Sequence, residues 1–401
     1  VIILLLFALD NTSFTMSTIG VASTEFGLDV FRELKVQHVN QNILYSPLTI
    51  ISALSMVYIG SRENTRAQIE KVVPFDKIVG FRETIESQCS TSGSFHFSLK
   101  DLFSQIIKRS DNYSLSFASR LYAEETYPIL PEYLQCVKEL YKDGVETINF
   151  QRAADQAREI INSWVESQTS GMIRNILQPS SVDHQTEMVL VNAIYFKGLW
   201  EKAFKYEDTQ TVPFRMTEQE SKPVQMMYQI GSFKVAEVAA EKVKILEIPY
   251  SSRQLSILVL LPDDASGLEQ LETAITSEKL VEWTNSDTME ERKLKVYLPR
   301  MKIEEKYNLT SVLVALGVTD LFRSSSDLSG ISSAESLKIS EAVHEAFVEI
   351  NEEGSEVVGS SGAGIEDASI SEEFRADHPF LFLIKHIPTK SILFFGRCVS
   401  P

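Results

Sequence analysis

Apolar residues change their spacing about halfway along this chain, and the change decides what it can fold into. Before residue 170 they recur at helical intervals. In TEFGLDVFRELKVQ (25–38), Phe26, Val30 and Leu34 share one face at i, i+4 spacing. Ser46-Pro47 opens a second helix, with proline in the first turn, and Gly60 closes it. A third is predicted over 153–168, with Ala157, Ile160, Ile161 and Trp164 as its buried stripe and Gly171 just past its end. From residue 188 the pattern turns to strands. MVLVNAIYF (188–196) is a near-continuous apolar run, which predicts a strand covered on both faces. KILEIPY (244–250), LSILVLLP (255–262) and KLKVYLPRMKI (293–303) follow, and HPFLFLIKH with SILFFGRCV (378–386, 391–399) predicts a hairpin around Pro388-Thr389. Helices early, strands late and no linker between them imply one large α+β domain.

The 401 residues are 44% apolar and 23% charged, enough to bury a sizeable core. A formal net charge of −17 argues against nucleic acid and anionic membranes as partners, and favours solubility. Three cysteines, Cys89, Cys136 and Cys398, allow one disulfide plus a free thiol or three buried thiols, and no CxxC occurs. None of the six histidines forms an i, i+4 metal pair. Asp263-Asp264 lies in a Pro-Asp-Asp-Ala-Ser-Gly turn and reads as a solvated loop. Gly359-Ser-Ser-Gly-Ala-Gly364 looks like a phosphate loop but lacks the Lys-Ser/Thr, and Glu366 and Asp367 would repel an anion. With no GxSxG elbow either, no catalytic constellation and no cofactor is expected. VIILLLFAL at the start is too short for a membrane span, which needs roughly 20 residues. It reads as part of a signal peptide or as a gene-model extension ahead of Met16, so residues 1–15 are set apart from a single domain over 16–401. Sequons at Asn11, Asn112 and Asn308 fit a secreted chain.

One segment resists this scheme. EINEEGSEVVGSSGAGIEDASISEEF (349–374) passes from an acidic strand into a Ser/Gly/Ala tract just before the last strands. Around it stand NILYSPLTIISALSMVYIGSRENTR (42–66), VNAIYFKGLWEKAF (191–204), AVHEAFVEINEEGSE (342–356) and FRADHPFLFLI (374–384). In sequence, order and spacing these resemble the defining motifs of the serpins, from about Met16 to Pro401. The resemblance implies three β-sheets, eight or nine helices and an exposed reactive loop at about 352–373. In inhibitory members a protease cuts the loop, forms an acyl-enzyme, and is trapped as the severed loop enters the main sheet as a new strand. Carried over by residue, the resemblance places the reactive bond at Ala368–Ser369 and the hinge at Glu352, Glu353, Gly354, Ser355 and Glu356. It places the polar cluster gating insertion at Ser46, Thr49, Asn192 and His344, and Trp200 where insertion begins. His344 is expected to be a satisfied buried histidine holding strands together rather than a proton switch. In the storage-type branch that the chain resembles most, Cys89 and Cys136 correspond to a disulfide, and Asn308, ahead of Asn112, to the glycosylated sequon.

The loop's chemistry points both ways. From Gly354 to Ala368 the chain reaches roughly 50 Å as a strand at about 3.3 Å per residue, long enough to carry a protease far across the molecule. If Ser355 faces inward on insertion, Val357, Gly359, Ser361 and Ala363 do too, and none buries a charge. Ser355 departs from the storage-type branch, which carries a charged residue there. Against insertion, Gly359, Gly362 and Gly364 each cost about 0.5–1 kcal/mol in a strand, together roughly 2 kcal/mol. Val357-Val358-Gly359-Ser360 also replaces the alanine-rich run of inhibitory members. A tenfold delay, about 1.4 kcal/mol, converts inhibitor into substrate. The reading is therefore a secreted, monomeric, non-inhibitory or weakly inhibitory storage protein. Its rival is a suicide-substrate inhibitor of an elastase-like serine protease, whose shallow pocket suits Ala368.

Overall fold

Ser46 shows how local sequence seeds the structure. Its hydroxyl accepts from the Thr49 amide at 3.3 Å, capping a helix that starts at Pro47 and ends at Gly60. The computed structural model describes residues 2–75, 89, 95–107, 110–142, 144–356 and 370–401, with side chains from residue 19 onward except those of Ser355 and Glu356. Nine α-helices lie among the described residues: α1 (Ile2–Gln37), α2 (Pro47–Gly60), α3 (Glu63–Val72), α4 (Phe95–Ile106), α5 (Pro131–Tyr141), α6 (Phe150–Gln168), α7 (Leu268–Ala274), α8 (Ser277–Trp283) and α9 (Leu309–Leu316). Phe26, Val30 and Leu34 of α1 are buried, as their spacing predicts.

The strands are β1 (Ile43–Tyr45), β2 (Tyr113–Glu124), β3 (Val145–Ile148), β4 (Met188–Gly198), β5 (Trp200–Lys202), β6 (Gln210–Arg215), β7 (Ser221–Val238) and β8 (Val243–Pro249). They continue with β9 (Leu255–Pro262), β10 (Glu290–Pro299), β11 (Met301–Asn308), β12 (Glu341–Ile350), β13 (Gly354–Glu356), β14 (Glu373–Arg375), β15 (Phe380–His386) and β16 (Ser391–Cys398). A five-stranded sheet has the order β11-β12-β4-β2-β3, and a nine-stranded sheet runs β1-β16-β15-β9-β8-β7-β10-β14 with β6 beside β7. The third sheet is the pair β13-β5. β15 and β16 form the expected hairpin.

Three details depart from the sequence reading. The run 293–303 is two strands in different sheets: β10 ends at Pro299 and β11 starts at Met301. Arg300 stands at that corner. In α6, Ala157 and Ile161 are buried together with Val165, whereas Ile160 is 46% exposed, because an i, i+4 column turns the residue before Ile161 toward solvent. Trp164 is half-buried under the Arg120 guanidinium, 4.0 Å from its ring centre. Finally, the nominally helical first half supplies β2, which pairs with β4 along eleven residues, Tyr113↔Gly198 to Ala123↔Met188.

The seam nearest the hinge segment is β12–β4. It is parallel and paired without interruption from Glu341↔Val189 to Glu349↔Lys197. An added strand can enter the five-stranded sheet there only by parting these pairs.

Candidate functional site

The four residues assigned to the gating cluster meet beneath that seam, all fully buried. The Ser46 amide donates to His344 Nε2 at 3.0 Å, so Nε2 is an acceptor and the ring proton sits on Nδ1. Nδ1 in turn donates to Asn192 Oδ1 at 2.6 Å. Thr49 Oγ1 donates to the same Oδ1 at 2.9 Å, and Asn192 Nδ2 returns a bond to the Thr49 carbonyl at 3.0 Å. The cluster thus ties β12, β4 and the start of α2 into one satisfied network. Burial pushes His344 down to about 3 from 6.5, against the opposing hydrogen bond to Asn192. The unfolded chain takes up this proton below about pH 6.5, so the stability held by neutral His344 is complete above that pH and is lost as pH falls toward 3.

Above the cluster the hinge leaves β12 and lies on β5. Gly354 pairs in parallel with Trp200, and Glu356 with Lys202. The Trp200 amide donates to the Glu353 carbonyl at 2.9 Å and the Phe204 amide to the Glu352 carbonyl at 3.0 Å. Gly354 is required here, because a Cβ would come within 2.6 Å of the Ala203 backbone. Trp200, 1% exposed, donates Nε1 to the Asn351 carbonyl at 2.6 Å and stacks on Tyr250, with ring centres 4.5 Å apart. Gly198 makes that stack possible, since any Cβ would strike the Tyr250 ring.

Glu352 anchors the hinge. Its carboxylate is fully buried, accepts from Arg300 Nε through both oxygens at 3.1 Å, and accepts from Thr209 Oγ1 at 2.8 Å. Burial acts to raise its pKa, but the Arg300 and Thr209 hydrogen bonds outweigh it and the net direction is down. This pair therefore stabilises the docked hinge above the ordinary carboxylate range, an effect lost as pH falls below it. Glu353 is held less firmly, by Lys197 at 2.9 Å on a part-exposed surface. Nothing in the hinge sequence marks Arg300 or Thr209 as partners. Pro299 ends β10, and the corner that follows aims Arg300 at Glu352.

This geometry yields a prediction. Arg300→Met leaves a buried carboxylate without its main partner, a loss of roughly 1–3 kcal/mol after allowance for the exposed arginine. Hydrogen exchange at the Trp200 and Phe204 amides should accelerate at least about tenfold. Unchanged protection at both would show that Glu352 does not hold the hinge.

Cys89 and Cys136 are bonded to each other, and Cys398 is a buried free thiol. Asn308 is exposed and caps α9, its Oδ1 accepting from the Thr310 amide at 2.9 Å. Asn112 is half-buried, with Oδ1 engaged by Ser251 Oγ at 3.0 Å. The reactive bond Ala368–Ser369 lies outside the described residues, as do the side chains of Ser355 and Glu356. Among the described residues no cluster of His, Cys, Asp or Glu could hold a metal, and no helix is long and apolar enough to cross a membrane.

The segment after β12 lies on β5, beside the unbroken parallel β12–β4 seam and above a buried polar cluster. Residues 21–401 match the family model described as serpin (serine protease inhibitor), and the chain belongs to that family. It is 73% identical over 386 residues to ovalbumin from Dromaius novaehollandiae, covering 96% of this chain and all of that one. Uncleaved ovalbumin superposes with a TM-score of 0.90 at 70% identity, again over 96% of this chain and all of that one. A cleaved, loop-inserted ovalbumin mutant matches with a TM-score of 0.86 at 66% identity and the same coverage.

Proposed function

We infer that this chain is a secreted serpin of the ovalbumin storage type, non-catalytic and non-inhibitory, whose reactive loop is cut at Ala368–Ser369. The observation that carries this reading is the match to ovalbumin along nearly the whole chain. The loop's own residues agree with it, since valines and glycines after the hinge slow insertion relative to deacylation. Its role for a protease is that of a substrate, and elastase-like enzymes suit Ala368 best. The chain acts as a monomer. Its exposed Asn308 is the glycan attachment point, ahead of the half-buried Asn112.

Incubation with pancreatic elastase tests the reading. Denaturing gels should show quantitative loss of a short C-terminal fragment with no protease-sized adduct. An SDS-stable complex that consumes most of the elastase would instead establish the inhibitor.

A further inference from the structure

Side chains along β12 and β4 alternate between two apolar clusters. Ile194, Phe196 and Val348 pack into the main core, whereas Tyr195 and Phe347 pack on the other face with Ile173 and Ile176 of the connection after α6. Tyr195 and Phe347 are direct partners across the seam, one step inside its last pair on that face, Lys197 and Glu349. Their rings meet at a steep angle with centres 5.3 Å apart, and both are nearly out of solvent, at 5% and 9% exposure. The Tyr195 hydroxyl reaches diagonally to Glu349 Oε1 at 3.4 Å, while Lys302 of β11 holds Oε2 at 3.4 Å. Burial, aided by Glu349, pushes the tyrosine up to about 12, so it remains a donor at neutral pH.

A strand entering between β12 and β4 doubles their separation, from about 4.8 Å to about 9.6 Å. Rings whose centres lie 5.3 Å apart then lose contact, and the diagonal bond to Glu349 goes with them. These contacts break early, because the pair His344↔Asn192 in the buried polar cluster lies three pairs further from the hinge. We propose that Tyr195 is a latch: its ring on Phe347 and its hydroxyl on Glu349 hold β12 to β4 at the hinge end and set how slowly the seam parts. The ring supplies most of the hold, since 3.4 Å is long for an O–H···O bond. The consequence for the loop, a delay before the strand goes in, rests on the reading that insertion follows cleavage. The latch itself does not.

Hydrogen exchange of the intact, uncleaved chain therefore tests it with no protease and no insertion. Tyr195→Val keeps a strand-forming side chain but removes ring and hydroxyl together. Amides of β12 and β4 that bond across the seam should exchange about tenfold faster, while those of the β15–β16 hairpin keep their protection. Tyr195→Phe keeps the ring and should stay within about threefold of the natural chain. An unchanged seam in Tyr195→Val overturns the proposal. So does equal acceleration of seam and hairpin, which would mean that the tyrosine adds only to general stability.

Phe347→Val attacks the same contact from the other strand and serves if Tyr195→Val folds poorly. It should open the seam by a similar factor, again sparing the hairpin, and no change at the seam overturns the proposal. Combined, the two substitutions should open the seam far less than the product of their single effects, because either one already breaks the contact. Full multiplication overturns the latch as well. Failure of the storage-type reading would show instead on the elastase gel and leave these exchange rates untouched.

Discussion

Elastase cleavage of the intact chain is expected to raise its thermal unfolding midpoint by about 10 °C or more, over minutes rather than milliseconds. For a chain this long such a shift corresponds to roughly 8 kcal/mol. A strand over residues 354–368, bonded on both edges, can supply it at about 0.5 kcal/mol net per residue. The starting state is set by the structure. The β12–β4 seam is fully paired, the hinge lies on β5, and Glu352 is locked by Arg300 and Thr209. Insertion must release all three, while the loop brings small or uncharged inward residues at 355, 357, 359, 361 and 363, with the larger Ile365 and the charged Asp367 following on the same face only at the far end of the strand.

The two measurements together separate thermodynamics from speed. A cleaved chain that gains stability yet forms no complex has a loop that inserts too late, which is the expected outcome. A cleaved chain whose midpoint does not move has a loop that cannot insert at all, and the insertion argument then fails while the substrate role stands. A cleaved ovalbumin mutant that is 66% identical to this chain has a loop-inserted structure.

Much of this architecture is legible in the sequence because burial writes periodicity. β4 and β9 are apolar almost throughout, and α2 is bracketed by Ser46-Pro47 and Gly60. β2 is not legible in that way. YSLSFASRLYAE puts Ser119 on the face against the polar cluster, where its Oγ accepts from Asn192 Nδ2 at 3.3 Å, and Ser114 and Ser116 on the other face. Small polar residues in a central strand read as loop until the neighbouring strand is known. The hinge was visible only through family resemblance, and its lock was not visible at all. Glu352 and Arg300 meet because Pro299 ends β10 and turns the chain into another sheet, a tertiary consequence of a single proline.

Ser355 decides whether the loop can enter, and replacing it gives the second large effect. Ser355→Arg should abolish the cleavage-induced rise in midpoint, leaving a change below about 2 °C, because insertion would bury a guanidinium without a partner at a cost of several kcal/mol. In the uncleaved chain, where the strand has not entered the sheet, the same substitution should alter stability by less than about 0.5 kcal/mol. Ser355→Ala should keep the full rise, since a methyl side chain satisfies the same small, uncharged requirement. The contrast between arginine and alanine isolates charge from the loss of the hydroxyl. If Ser355→Arg gained as much stability on cleavage as the natural chain, residue 355 would not be entering the sheet, and the strand register assigned from Gly354 onward would be wrong. If alanine lost the rise along with arginine, the serine hydroxyl itself, hydrogen-bonded within the opened sheet, would be the group that lets the strand in.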